Sequence, residues 1–275
     1  MIHRYLRFPG GKGKALTFSY DDGVFEDIRL IEIFRKNGMR GTFNLNSGQM
    51  GNMQLKRPRI SAEEALNIYT EDVCEVACHG VSHPDLPSCE PVVACTEVIE
   101  DRKNLEKIFG KQIHGMAYPY GTYNDTVVEI LKNAGIHYAR TITTTQKFNM
   151  CEDWLRMPAT CHHENPALME LADKFLASKP SFAPKVFYVW GHSYEFTTQN
   201  NWYIIENFCE KMANKADIWY CTNIELYNAW ADYKRLERSA DGSMIYNPNA
   251  RSVWVGDRQG NSWEIKPGKT LVCEE

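Results

Sequence analysis

No apolar run in this chain of 275 residues approaches the ~20 that a membrane-spanning helix requires, so no membrane partner is expected. Positive charge is present but not concentrated. The net charge is -4 and the pI about 6.1, without a dense block of Lys and Arg, which removes the electrostatic footprint expected of a nucleic-acid binder. The opening stretch Met1 to Pro9 lacks the apolar core of a secretory signal, so a cytoplasmic location is the expectation. The nine cysteines are an odd number, contain no Cys-x-x-Cys pair, and sit in a chain too large to need stapling. Reduced thiols serving as core filler follow from that. Repeats, low-complexity stretches and flexible linkers are missing as well, and no feature marks a protein partner.

What is present is a core: 43% of residues are hydrophobic and 12% aromatic, enough for one large domain or two small ones. Short apolar strands alternate with amphipathic helices, the pattern of βα units around a parallel sheet. Ala15 to Tyr20 reads as a strand, and Glu26 to Lys36 as a helix stopped by Asn37-Gly38. Further strands are expected at 41–46, 73–78, 114–118, 138–142, 185–190 and 218–221, with helices between them and a capping box at Ser61 to Glu64. Seven or eight such units suggest a closed α/β barrel over residues 1–240. From Asp241 turn signals separate short β-like runs, so residues 241–275 are expected to form a small β appendage packed on the barrel.

The residues able to do chemistry fall where strands give way to loops, and in βα barrels those loops converge on one face. Asp21 and Asp22 end the first strand and Gly23 turns the chain after them. Adjacent carboxylates raise the cost of ionising both, which a cation holding one of them would relieve; a solvated Asp-Asp-Gly turn is the other reading. His79-Gly-Val-Ser-His83 places two imidazoles four residues apart, able to face one ion. Two neutral nitrogens and one carboxylate oxygen leave positions open for water and substrate, the ligand set of a catalytic zinc site.

Taken together, Ser19-Tyr-Asp-Asp-Gly23, His79-Gly-Val-Ser-His83, Ala117-Tyr-Pro-Tyr-Gly121 and Trp190-Gly-His192 resemble, in order, the motifs of the polysaccharide deacetylases, the carbohydrate esterase family 4 group with the NodB homology fold. The resemblance spans Ala15 to Cys221 and implies a distorted (β/α)7-type barrel. It implies a metal-dependent hydrolase that removes acetyl groups from an N-acetylated sugar or oligosaccharide. Asp22, His79 and His83 would hold a divalent ion, zinc first among Zn2+, Co2+, Ni2+, Mn2+ and Fe2+. Asp21 would be the general base and His192 the general acid, and Pro119, Tyr120 and Trp190 would line the substrate and oxyanion side, with the Tyr120 backbone N–H as donor. Ala117 stands where many members carry an arginine that tunes the base, and Arg156 is the candidate replacement. That departure keeps open an allantoinase-like hydrolase of another C–N amide, beside a non-catalytic carbohydrate-binding relative. Glu195 could orient His192, and His162 and His163 could offer a substrate contact or an extra ligand, or form a loop pair without a structural role.

Overall fold

A computed structural model describes residues 3–180 and 182–273. The chain runs β1 (Tyr5–Arg7), β2 (Lys14–Asp21), α1 (Glu26–Asn37), β3 (Gly41–Leu45), α2 (Ala62–Ile68), β4 (Cys74–Cys78), α3 (Pro91–Phe109), β5 (Gly115–Ala117), α4 (Asp125–Asn133), β6 (Tyr138–Thr144), β7 (Met157–Ala159) and β8 (Cys161–His162). It continues through α5 (Leu168–Ala177), β9 (Lys185–Gly191), α6 (Ser193–Thr198), α7 (Tyr203–Met212), β10 (Ile218–Tyr220), α8 (Asn223–Lys234), β11 (Glu237–Arg238), β12 (Met244–Tyr246), β13 (Val253–Gly256), β14 (Ser262–Ile265) and β15 (Thr270–Val272).

Strands β2 to β9 form a parallel sheet in the order β7-β6-β5-β4-β3-β2-β9-β8. The ring is completed by one kinked segment, because β7 pairs with β6 while β8, two residues on, pairs with β9. Thr160 at the kink donates its N–H to the Tyr188 carbonyl at 2.8 Å. The short β10 fills the lower part of the β2 edge, opposite Lys14 to Leu16, and β3 takes the upper part from Phe18 onward. The expected (β/α) barrel is therefore present, distorted at this closure.

Side chains alternate along each strand, so β2 divides its residues between two environments. Phe18 and Tyr20 point out against α1 and α7, with the Phe18 and Phe34 rings 4.5 Å apart. Cys78 joins the same outer core, while its neighbour His79 faces inward. Thr17, Ser19 and Asp21 point into the barrel, where the filling is polar and hydrogen-bonded. Thr17 donates to Asn223, Asn44 donates to Ser19, and Thr42 and Tyr138 both donate to the buried Glu75 carboxylate at 2.7 Å. Burial pushes the Glu75 pKa up, and the first turn of α8 plugs the barrel floor by donating the Ile224 N–H to the same carboxylate.

The local signals hold where they were strong. The Ser61 capping box opens α2, with Ser61 accepting from the Glu64 N–H and Glu64 accepting from the Ser61 N–H, an arrangement stabilising a helix by about 1 kcal/mol. The appendage is wider than the tail. β1 pairs with β13, and β11 pairs with β12, so Tyr5 to Arg7 and Glu237 to Arg238 belong to its two small sheets. The last barrel helix accordingly stops at Lys234. All nine cysteines are free thiols. Among the described residues no helix is long and apolar enough to cross a membrane.

Candidate active site

The carboxyl ends of β2, β4, β5 and β9 deliver Asp21, His79, the Tyr118 to Gly121 turn and His192 to one rim of the barrel. Asp21 continues the inward face of β2. Asp22 leaves the strand with a φ of 85°, a left-handed conformation that Asp tolerates better than most residues, and this turns its carboxylate toward the same rim. His83 reaches it through a second left-handed residue, with φ 61°.

One ligand atom each from Asp22, His79 and His83 can be chosen so that all three lie within 4.8 Å of one another. The tautomer of His79 fits this use. Its Nδ1 lies 2.8 Å from the Ala117 carbonyl, which can only accept, so the proton sits on Nδ1 and the Nε2 lone pair faces the rim. Burial lowers the His79 pKa to about 4, against the pull of Asp21, and keeps the ring neutral as a ligand must be. His83 Nε2 stands 3.9 Å from Asp22 Oδ1, and Arg59 reaches that oxygen at 3.3 Å.

Asp21 is held apart from this trio by its own partners. Asn44 Nδ2 donates to Oδ1 at 2.8 Å and Arg140 donates to Oδ2, while His192 Nε2 and His79 Nε2 lie 3.8 and 4.0 Å from Oδ2. Burial alone would raise this carboxyl's pKa. The Arg140 guanidinium, helped by the two imidazoles, outweighs it and holds Asp21 below the usual carboxylate range, ionised and poised to accept a proton. Arg140 is itself buried, with its guanidinium 4.6 Å over the Trp190 ring, so the charge pair is desolvated on both sides.

The cation paired with Asp21 is therefore Arg140 and not Arg156. Arg156 sits at the surface between Asp153 at 2.8 Å and Asp125 at 2.6 Å. It lies in the short 3-10 turn before β7, and Arg156→Ala is expected to change stability by no more than about 0.5 kcal/mol in thermal unfolding. In the sequence Arg140 is the single charge in the strand-like run Tyr138 to Ile142 and shares a face with Tyr138, but nothing local names its partner.

His192 precedes α6, and Glu195 reaches back to it from that helix. Glu195 Oε2 accepts from the His192 N–H at 2.9 Å and Oε1 lies 3.3 Å from Nδ1. Burial disfavours the imidazolium, but Glu195 and then Asp21 more than compensate, leaving the His192 pKa above its ordinary value. Asp27 of α1 fixes the start of α6, accepting from Ser193 Oγ at 2.5 Å and from Tyr69 at 2.7 Å. Burial raises the Asp27 pKa to about 7. This carboxyl keeps its proton in the fold at pH values where the unfolded chain releases it. Stability should thus fall, by roughly a few kcal/mol, as pH rises from about 4 to about 7 and then level off. Urea titrations across that range should show a slope that Asp27→Asn removes.

The expectation for His162 and His163 is corrected. They are not an idle loop pair: His162 ends β8, and His163 is fully buried, its ring centroid 4.0 Å from Phe196 and 5.7 Å from Tyr20. Their strand, β8, was missed because it is two residues long and follows Pro158 of β7. At the rim Pro119 is buried beneath Tyr120, whose ring is 61% exposed and has a φ of 58°. Tyr120 lies edge-on to His83, with ring centroids 4.5 Å apart, and offers an open aromatic face beside the donor trio.

Comparison with known proteins places these features. A sequence model of the family described as polysaccharide deacetylase matches residues 8–139. A chitin deacetylase of Arthroderma benhamiae is 32% identical over 129 residues, 45% of this chain, and the chain spans only 32% of that relative's length. A Mycobacterium smegmatis structure assigned as a polysaccharide deacetylase shares the fold, with a TM-score of 0.60 at 14% identity, covering 87% of this chain and 97% of that one. A family 4 carbohydrate esterase from Streptomyces lividans, solved in complex with acetate, has a TM-score of 0.49 at 15% identity, covering 75% of this chain and 91% of its own. The matched segment contains both the Asp21-Asp22 and the His79 to His83 turns, and over residues 8–139 the chain is similar to the polysaccharide deacetylase family.

Proposed function

We propose that the protein is a metal-dependent hydrolase removing acetyl groups from an N-acetylated sugar or oligosaccharide. The observation that carries this is the division of labour at the end of β2. Asp22 lies with His79 and His83 as a donor trio, while Asp21 is ionised by Arg140 and lies within 4 Å of His192 Nε2. A binding module needs neither a free base nor an acid.

Asp22, His79 and His83 would hold the divalent ion, with zinc expected from a ligand set of two nitrogens and one oxygen. Bound there, the ion would supply Lewis-acid polarisation of the acetyl carbonyl and of water. Asp21 Oδ2 takes a proton from the attacking water. The Tyr120 backbone N–H is the donor proposed for the developing oxyanion, beside the exposed Tyr120 ring. His192, kept as imidazolium by Glu195, gives its proton to the departing nitrogen, so the C–N bond breaks to acetate and a free amine. Pro119 and Trp190 act behind these groups, one under Tyr120 and the other under Arg140.

Arg140 also removes the reason for an allantoinase-like reading, since the cation absent at Ala117 is supplied from β6. Glu195→Gln is expected to lower kcat by about 10- to 100-fold and to move the alkaline limb of the pH–rate profile downward, because His192 would lose its proton sooner. Metal analysis of the purified protein, with an acetate-release screen over acetylated mono- and oligosaccharides and a cyclic ureide as comparison, tests the assignment. Metal bound and acetate released from sugars supports it; turnover of the ureide alone would reassign the substrate.

A further inference from the structure

A second cluster of metal-ligating side chains lies on the far side of His192. His162 and His163 come from the end of the barrel-closing strand, Glu195 from α6, and Glu164 follows the two histidines. His162 Nε2 is 3.2 Å and His163 Nε2 is 3.5 Å from the same oxygen, Glu195 Oε2, and Glu164 Oε1 is 4.0 Å from His163 Nε2. Ligand atoms of a tetrahedral zinc ion, bonded at about 2.0–2.1 Å, stand roughly 3.3 Å from one another. The two shorter separations match that edge length, with His162 Nε2 free to ligate once its Nδ1 gives up the Glu164 N–H that it accepts at 3.2 Å.

His163 is the informative member. Its ring is fully buried and neither nitrogen has a hydrogen-bond partner, and the buried Glu164 Oε1 also lacks one. An unpaired buried polar atom costs about 1–3 kcal/mol, so an imidazole left this way calls for a ligand. The backbone is shaped to admit the ring: a Cβ on Gly191 would lie 2.0 Å from His163 Nδ1. Tyr20 and Phe196 stack against the ring, leaving Nε2 facing Glu195. His162, Glu164 and Glu195 are each partly exposed, so an ion has a way in.

We infer that His162, His163 and Glu195, with Glu164 beside them, form a second site for a divalent transition-metal ion such as zinc or cobalt. It is distinct from the Asp22, His79 and His83 trio, because His192 stands between them, 3.8 Å from Asp21 through Nε2 and 3.3 Å from Glu195 through Nδ1. Two imidazoles and a carboxylate favour zinc, cobalt or nickel over calcium or magnesium. The inference goes beyond the deacetylase reading and does not depend on acetate release.

Zinc titration of the chelator-stripped full chain by calorimetry, together with cobalt absorption spectra, tests it. The wild type should bind two equivalents. His162→Ala, at a partly exposed position, should bind one, His83→Ala should bind one, and the double variant none. His83→Ala provides the second measurement, since its cobalt spectrum should report the His162 and His163 site alone. One equivalent in the wild type, kept by His162→Ala and lost by His83→Ala, would overturn this site and leave the catalytic one standing. One equivalent kept by His83→Ala and lost by His162→Ala would do the reverse, and no bound ion in the wild type would count against both.

Discussion

Asp21→Asn is expected to reduce the turnover number for acetate release by about a thousandfold while leaving metal content unchanged. The size follows from the role: the substitution keeps the shape of the side chain and its contact with Asn44 but removes the group that accepts a proton from water. Metal content is spared because Asp22, His79 and His83 make up the donor trio without Asp21. Asp22→Asn should give the contrasting result, losing metal and activity together. Steady-state acetate release and elemental analysis on the same preparations separate the two. If Asp21→Asn lost its metal as Asp22→Asn does, the two carboxylates would not be divided as proposed.

Replacing Arg140 should have the largest effect on stability. Arg140 and Asp21 are both almost completely buried and face each other, so Arg140→Met would leave an anion inside the barrel with Asn44 as its remaining strong donor. Removing one partner of a buried ion pair costs about 3–5 kcal/mol, a large part of a typical domain's stability. The sign of the pH effect follows as well. Without the guanidinium, burial is opposed only by the Asn44 hydrogen bond and the imidazoles, so the Asp21 pKa should rise and the acidic limb of the rate profile should move to higher pH. Urea unfolding and a pH–rate profile of the variant measure both. A loss below about 1 kcal/mol, within the range of an exposed pair, would mean that the two charges are not desolvated together.

How far the sequence discloses this arrangement depends on how local each signal is. The βα alternation, the Ser61 box and the Asn37-Gly38 stop are written within a few residues of one another, and the corresponding elements appear with ends shifted by one or two positions. Asp21, Asp22, His79, His83 and His192 were legible because each ends a recognisable strand. Arg140 was not, since its partner lies 119 positions away and only barrel closure brings β6 opposite β2. The kinked β7–β8 segment was missed for a related reason: Pro158 argues against a strand, and the hydrogen bonds that make it one come from β6 and β9. With that strand unseen, His162 and His163 had no environment from which to choose between a ligand, a substrate contact and an idle loop pair. The join of β1 to the tail sheet through β13 is equally non-local, spanning nearly the whole chain.

The appendage meets the barrel at α8, where Arg251 pairs with the buried Asp232 at 2.7 Å and Asn249 donates to the Asp232 carbonyl. These contacts tie the small sheets to the helix whose first turn closes the barrel floor. They lie at the opposite end from the Asp21 rim and take no part in its chemistry.

The most direct measurement is acetate release from acetylated chito-oligosaccharides by the purified protein, taken before chelation, after chelation and after zinc is added back. The account predicts release that disappears when the ion is stripped and returns when it is restored, in the wild type and not in Asp21→Asn. Release that survives chelation unchanged, or zinc-loaded protein that frees no acetate from any acetylated sugar, would contradict it.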